Sequence, residues 1–282
     1  MSCVHPRRLI AVCLTAILLL SVFLLSGCTV TAEPSLTVTF YKIGKADAAL
    51  LSVTGEGGTH SVLIDTGESD DAPELIDKLR DAGVETLDCL ILSHFDKDHI
   101  GGFPSVIAEI PAERILLPDY EGTGEPYEAM RETLAQCSGA EILTEDVTFT
   151  LGDAQFTVSV PQCAEYEKKQ DNNSSLAVTV TYGQNTMLFA GDAEAERQEE
   201  LIGTMPGSVT LLKVPHHGVW NKGLDTFFAA TSPVYAVITD SDKNPAEQKT
   251  LDALNTLGTR IYETRNGDIR AVFTQTTVTV MQ

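Results

Sequence analysis

The chain of 282 residues predicts an α/β fold, and three observations carry that prediction. Short apolar or alternating segments of strand length are interleaved with segments of helical spacing. Several of the strand candidates end on Asp or His instead of an ordinary turn. A composition 43 % hydrophobic supplies enough apolar side chains to bury one large core. No internal repeat or interior low-complexity linker divides residues 36–282, so they read as one domain, preceded by a leader over 1–27 and a tether over 28–35.

Taken in order, the alternating run Leu36 to Tyr41 is a strand, because side chains two apart fall on one face. A second strand, Ala48 to Thr54, reaches the glycine-rich turn 55–58, and a third, Ser61 to Ile64, ends at Asp65-Thr66-Gly67. Pro73 to Ala82 has helical spacing, with proline at its start and Gly83 as its stop. Apolar Leu87 to Leu92 reads as a buried strand, and Phe103 to Ile110 as a short helix. Strand Arg114 to Pro118 and helix Glu125 to Gln136 continue the alternation. Beyond Gly139 strands dominate, over 141–144, 147–150, 155–160, 176–182 and 186–190. The last of these opens on Gly191-Asp192 and a helix from Glu194 to Ile202. Strand Val209 to Val214 opens on Pro215-His216-His217-Gly218. Helices Leu224 to Ala230 and Pro245 to Leu257, with strands at 234–239, 260–263 and 269–280, complete the pattern.

The chemistry concentrates in Ser93 to Gly102, where His94, Asp96, Asp98 and His99 fall within six positions. Any one of them alone would read as part of a solvated acidic loop; the four together do not. Neutral imidazole interleaved with carboxylate suits a divalent ion such as zinc, manganese or iron. In an extended segment His94, Asp96 and Asp98 can point the same way, while His99, beginning the next helix, turns aside, so that one loop could feed two adjacent ions.

Arg7 and Arg8, the uncharged apolar run Leu9 to Leu25 and Leu25-Ser26-Gly27-Cys28 form a secretory pattern in its bacterial lipoprotein version. Cleavage before Cys28 and lipid on its thiol are expected, the alternative being an uncleaved anchor over Leu9 to Val30. Either way the domain is expected to be exported and tethered, on the outer face of the cytoplasmic membrane or in the periplasm or outer membrane, with membrane lipid as a partner. Losing residues 1–27 removes two arginines and no acid, moving the formal net charge from −21 to −23. So acidic a domain repels nucleic acid at long range. Of the cysteines, Cys89, Cys137 and Cys163 remain, an odd and widely spaced set that is no disulfide framework, with Cys89 expected in the core.

Four strand ends thus carry like residues: Asp65, the 94–99 loop, Asp192 and His216/His217. With Ile43-Gly44-Lys45-Ala46-Asp47-Ala48, Val62-Leu63-Ile64-Asp65-Thr66-Gly67, Asn172-Asn173-Ser174-Ser175-Leu176, Leu188-Phe189-Ala190-Gly191-Asp192 and Lys213-Val214-Pro215-His216-His217-Gly218, they make nearly all of residues 36–280 resemble the metallo-β-lactamase superfamily. Within it, the chain looks most like the extracellular hydrolase domain of the DNA-uptake competence channel and its free-standing relatives. The resemblance implies an αββα four-layer sandwich, two sheets between helices, holding two divalent ions, zinc or manganese. By resemblance His94 and Asp96 serve the first metal and Asp98 and His99 the second; Asp192 bridges, His216 completes the second site, and Asp65 orients the loop from behind by hydrogen bonding. Asp98 and His217 are the catalytic candidates, His217 either supporting a ligand or contacting phosphate as an acid. Spacing does not separate His216 from His217; His216 is favoured as ligand because it leaves the strand first. Asp47 and Asn173 are candidates for supporting or substrate contacts, against ordinary turn roles. Trp220 and Tyr182 could form an aromatic wall or simply pack in the core, and Asp192 could instead cap the helix near Glu194.

The chain departs from the family where Asp96 replaces a familiar histidine, where only Asp171, Asn172 and Asn173 stand in place of a later histidine, and at Lys45-Ala46 and Val219. An oxygen-rich first site weakens zinc selectivity and makes manganese or mixed occupancy plausible. The implied function is an exported, membrane-anchored metal-dependent hydrolase, a phosphodiesterase or nuclease with nucleic acid as a candidate substrate. The alternatives are a lactone, ester or β-lactam hydrolase on the same site, or a non-catalytic metal-containing surface binding protein. So many buried acids argue against the last, being costly without cations. No protein partner is inferable.

Overall fold

Period-two burial along the strands builds two sheets. In β1 (Ser35–Phe40) Leu36, Val38 and Phe40 are fully buried while Ser35, Thr37 and Thr39 are not. The computed structural model describes residues 34–55, 57–205 and 207–282; the leader, Cys28 and most of the tether lie outside them. Numbered along the chain, β1, β2 (Ala49–Gly55), β3 (Gly58–Ile64), β4 (Cys89–Ile91), β5 (Ile115–Pro118), β6 (Ala140–Leu143), β14 (Ile269–Phe273) and β15 (Val278–Met281) form an eight-stranded sheet in the order β15-β14-β1-β2-β3-β4-β5-β6. The second sheet has seven, β7 (Val147–Leu151), β8 (Ala154–Ser159), β9 (Ala177–Tyr182), β10 (Asn185–Phe189), β11 (Leu211–Lys213), β12 (Tyr235–Ile238) and β13 (Arg260–Glu263), in the order β13-β12-β11-β10-β9-β8-β7.

Between the sheets Leu36, Phe40, Ile64, Cys89 and Ile91 meet Phe156, Val178, Met187, Phe189 and Val237. Each such large side chain contributes roughly 1.5–3 kcal/mol by leaving water. Alternate residues face outward: Leu63 and Leu90 pack on α1 (Ala72–Asp81), α3 (Phe103–Glu109) and α4 (Glu125–Leu134) through Leu75, Leu79, Phe103, Val106, Tyr127 and Met130. Leu188, Leu212 and Ala236 pack likewise on α6 (Ala195–Thr204), α7 (Leu224–Thr231) and α8 (Gln248–Thr256). Helix, sheet, sheet and helix form the expected αββα sandwich. One-turn helices α2 (Lys97–Ile100) and α5 (Gln170–Asn173) lie outside these layers. Among the described residues no helix is long and apolar enough to cross a membrane.

β3, β4 and β5 run parallel, as do β10, β11 and β12, so each sheet delivers several strand C-termini to one rim. Three local expectations are corrected. The strand expected over 269–280 is an antiparallel hairpin with Phe273 opposite Val278, its turn closed by Thr274 Oγ1 accepting from the backbone of Thr277 at 3.0 Å. That turn has neither glycine nor proline to announce it. The helix expected from Pro245 begins at Gln248, because the Ala246 N–H is drawn to Asp240 Oδ2 at 3.2 Å. Asp98 sits inside the helical turn α2, so it does not alternate with His94 and Asp96 along an extended strand.

Candidate metal centre

The centre is assembled from hydrogen bonds that fix which imidazole nitrogen faces inward. Asp65 leaves β3 with φ of 60°, a left-handed conformation uncommon outside glycine and a sign of local strain. Its carboxylate accepts from the Ser93 N–H and hydroxyl, both at 2.7 Å, and from His99 Nδ1 at 2.8 Å. The proton on Nδ1 leaves His99 Nε2 with a lone pair. His217 Nδ1 lies 2.9 Å from the carbonyl of Thr239, which can only accept, so Nδ1 carries a proton and Nε2 is the nitrogen that a neutral ring would offer to an ion. Ser93 Oγ, having given its proton to Asp65, accepts from His94 Nδ1 at 3.1 Å.

The three freed nitrogens converge. His94 Nε2, His99 Nε2, His217 Nε2 and Asp192 Oδ1 are all buried without a hydrogen-bond partner. Asp192 Oδ1 is 3.3 Å from His99 Nε2, and Asp192 Oδ2 is 3.4 Å from His217 Nε2, which lies 3.3 Å from Asp98 Oδ2. Asp96 Oδ2 stands 3.7 Å from His94 Nε2. His94, His99 and Asp192 form one set with donor atoms within 4.8 Å of one another, and Asp98, His99 and His217 another. A third grouping, Asp47 with Asp65 and His99, uses the His99 Nδ1 already given to Asp65 and is a hydrogen-bonded support. Buried imidazole nitrogens without a hydrogen-bond partner beside anionic oxygens fit divalent cations, since such burial is otherwise costly.

On the Nδ1 side of these imidazoles lies a buried ion pair. Lys213 Nζ contacts Asp47 Oδ2, donates to the Gly191 carbonyl at 3.3 Å, and stands 3.7 Å from Asp192 Oδ1. Burial alone would depress the ammonium, but Asp47 and Asp192 outweigh it and raise its pKa. Burial alone would likewise raise the Asp192 carboxyl, yet His217 and His99 hold it well below the usual carboxylate range. His217 is pushed up to about 9 against the effect of burial by Asp192 and Asp47.

The structure brings His94, Asp96, Asp98, His99 and Asp192 together, with Asp65 and Asp47 behind them. The two late histidines are placed differently: His217 Nε2 faces Asp98 and Asp192, and His216 lies outside both donor sets. His216 turns its Nδ1 to Glu194 Oε1 at 3.0 Å, reaches Asp192 Oδ2 only at 3.8 Å, and keeps 15 % of its side chain exposed. Both residues have left-handed φ, 48° and 53°, which breaks the strand alternation that made His216 the natural choice. Asn173 Oδ1 accepts from the backbone of Glu194 at 3.0 Å and Arg197 at 3.3 Å, capping α6 from outside. Glu194 is itself the N-cap position, so Asp192 is not the cap. Tyr182 packs between the sheets and Trp220 against the outer helices of the second, so they form no common wall. Sequence reasoning missed Ser93, Thr239, Glu194 and Lys213. Only Lys213 left a signal, as the one charge in the apolar run Val209 to Val214.

Residues 46–238 match the model of the Metallo-beta-lactamase superfamily. The chain is 30 % identical over 262 residues to "Competence protein ComA" of Neisseria gonorrhoeae, covering 87 % of this chain and 35 % of that one. It is 29 % identical over 254 residues to "ComE operon protein 3" of Bacillus subtilis, covering 81 % and 32 %. It therefore spans about a third of the length of these relatives. The metallo-beta-lactamase fold protein YhfI of Bacillus subtilis matches 86 % of this chain and 100 % of its own with a TM-score of 0.55 at 14 % identity. The diiron β-hydroxylase CmlA of Streptomyces venezuelae matches 86 % and 54 % with a TM-score of 0.52 at 13 % identity. At such identities the likeness is one of fold.

Proposed function

Because the chain belongs to the metallo-β-lactamase superfamily, we propose that it is a metal-dependent hydrolase acting on phosphodiesters, nucleic acid among them. The observation that carries this proposal is the convergence of the partnerless Nε2 atoms of His94, His99 and His217 with Asp192 Oδ1. His94 and Asp96 would hold one ion, Asp98, His99 and His217 the other, and Asp192 would face both. When bound, two divalent ions, zinc or manganese, supply Lewis acidity that lowers the pKa of a water and offsets charge on the phosphate. The chain's own residues do the rest. Asp65 and the Thr239 carbonyl hold the Nδ1 protons of His99 and His217, fixing tautomer and ring direction. His216, the more exposed of its pair, is held through Nδ1 by Glu194 and keeps its Nε2 for a substrate contact at the rim.

The similarity to competence proteins supports nucleic acid over a lactone or β-lactam. The net charge of −21 means that the strand must be engaged locally, at the metal rim, with affinity falling as salt rises. We further propose export and lipid attachment at Cys28. That rests on Arg7 to Cys28 in the sequence, which lie outside the described residues.

The test is elemental analysis of the purified domain, followed by a chromogenic phosphodiester, a lactone and a cephalosporin assayed with Zn²⁺ and with Mn²⁺. Bound metal and phosphodiester turnover are expected. Absence of stoichiometric metal under every loading condition, or turnover of the lactone or cephalosporin alone, would overturn the proposal.

A further inference from the structure

Phe95 stands between two of the proposed ligands, His94 and Asp96, and is held on every side. Its ring stacks on Tyr120, centroids 4.6 Å apart and planes at 25°, and packs against Tyr127 at 5.0 Å. Its backbone N–H donates to Tyr120 Oη at 2.6 Å. A Cβ on Gly122 would lie 2.9 Å from Phe95 Cβ and 2.6 Å from the Tyr127 ring, so only glycine lets that segment close over the loop. Tyr127 is tied in turn by its hydroxyl to Glu121 at 2.9 Å, with the Arg131 guanidinium 5.8 Å from its ring centre. A loop phenylalanine needs its ring covered, which ordinary core packing would do; the phenol aimed at its peptide nitrogen is a second, separate restraint.

We infer that Tyr120 is a positioning residue for the His94 and Asp96 half of the metal centre. The inference rests on the ligand assignment proposed above. The Phe95 N–H lies beyond the last ladder residue of β4, and a buried N–H must find an acceptor. Tyr120 Oη is that acceptor, so it sets the rotation of the peptide between His94 and Phe95 and with it the directions of the side chains on either side. The other half of the centre has its own supports, Asp65 for His99 and Thr239 for His217. Loss of the Tyr120 hydroxyl is therefore felt on one half only. The phenol lies near the carboxylates of Asp96 and Asp171, and burial keeps it a neutral hydroxyl.

The experiment is Mn²⁺ titration of the full chain by calorimetry and electron paramagnetic resonance, comparing Tyr120→Phe, Gly122→Ala and His94→Ala with the parent. His94→Ala should remove one class of bound ion. Tyr120→Phe, which keeps the ring, should weaken that same class by about ten- to hundredfold and leave the other within about twofold, as removal of a supporting hydrogen bond does. Gly122→Ala, which presses on the Tyr127 ring and on Phe95 without removing a polar group, should do the same. If His94→Ala retains both classes, the ligand assignment fails and the inference with it. If His94→Ala loses one class while Tyr120→Phe leaves both unchanged, or weakens both equally in step with lost stability, the inference alone is overturned.

Discussion

Lys213 of the second sheet and Asp47, just before β2 of the first, form a buried ion pair on the Nδ1 side of the imidazoles. Asp47 lies 3.5 Å from His217 Nδ1 and 3.8 Å from His99 Nδ1, so the pair ties both sheets to both histidines. Only 3 % of Lys213 and 6 % of Asp47 is exposed, and neither charge can turn to water if its partner is removed. Lys213→Met should therefore cost about 3–5 kcal/mol, the loss typical of stranding one buried charge. Replacing both, Asp47→Asn with Lys213→Met, should recover most of it. Urea unfolding of the metal-free forms decides: a double-variant loss equal to the sum of the two single losses would show that the pair is not coupled.

The two late histidines should separate cleanly. His217→Ala removes an Nε2 that faces Asp98 and Asp192, so one bound ion should be lost. His216→Ala removes a side chain engaged with Glu194, so the ion count should hold while turnover falls by about 10²–10⁴, the range of a lost proton-transfer or substrate contact. Elemental analysis of the two proteins is the check, and the opposite pattern would restore His216 as the ligand.

Stability of the metal-free chain should decline on the alkaline side. His217 has its pKa raised from 6.5 to about 9, its burial being outweighed by Asp192 and Asp47. A group whose folded pKa is raised contributes stability that is fully present below its unfolded value and lost as pH climbs through the folded one. Melting temperature in chelator should thus fall between pH 6.5 and about 9. Ion binding requires the neutral ring, so apparent Mn²⁺ affinity should rise over the same window. A melting temperature that climbs across it in chelator would contradict the assignment.

Cys28→Ser should abolish labelling by a fatty-acid probe, because acylation needs the thiol. Labelling as strong as in the parent would remove the basis for a lipid anchor.

The centre was most legible where its chemistry is local. His94, Asp96, Asp98 and His99 are close in sequence, and Asp65 and Asp192 each end an apolar strand, so a period-two reading places them at one rim. What escaped depends on partners distant in the chain. Asn173 reads as a supporting or substrate contact or a turn residue, and only the fold shows the free N–H groups of α6 meeting its oxygen. Lys213 is visible as an odd charge in a buried strand, but nothing nearby announces Asp47 as its counter-ion. His217, and not His216, turns its Nε2 toward Asp98 and Asp192 because two consecutive left-handed residues turn the chain, a conformation that no propensity for histidine anticipates. The hairpin within 269–280 was missed for a related reason, its turn being held by threonine hydroxyls and not by glycine or proline.

Asp192 offers the sharpest test of the centre. Its Oδ1 faces His99 Nε2 at 3.3 Å and its Oδ2 faces His217 Nε2 at 3.4 Å, so one carboxylate addresses both proposed ion positions. Asparagine has nearly the same shape but no net charge, and its amino group would present hydrogens where the centre requires lone pairs. The role of a helix cap, where asparagine would substitute freely, is already filled by Glu194 at the N-cap position and Asn173 on the free N–H groups. Asp192→Asn should therefore fold, bind divalent ions more weakly at both positions, and lose phosphodiesterase turnover by about two orders of magnitude or more, as when a principal electrostatic group is removed. Circular dichroism, elemental analysis and turnover on one preparation are the measurements. A folded variant with full metal content and full turnover would remove Asp192 from the centre, and with it the reason for expecting two ions to share one carboxylate.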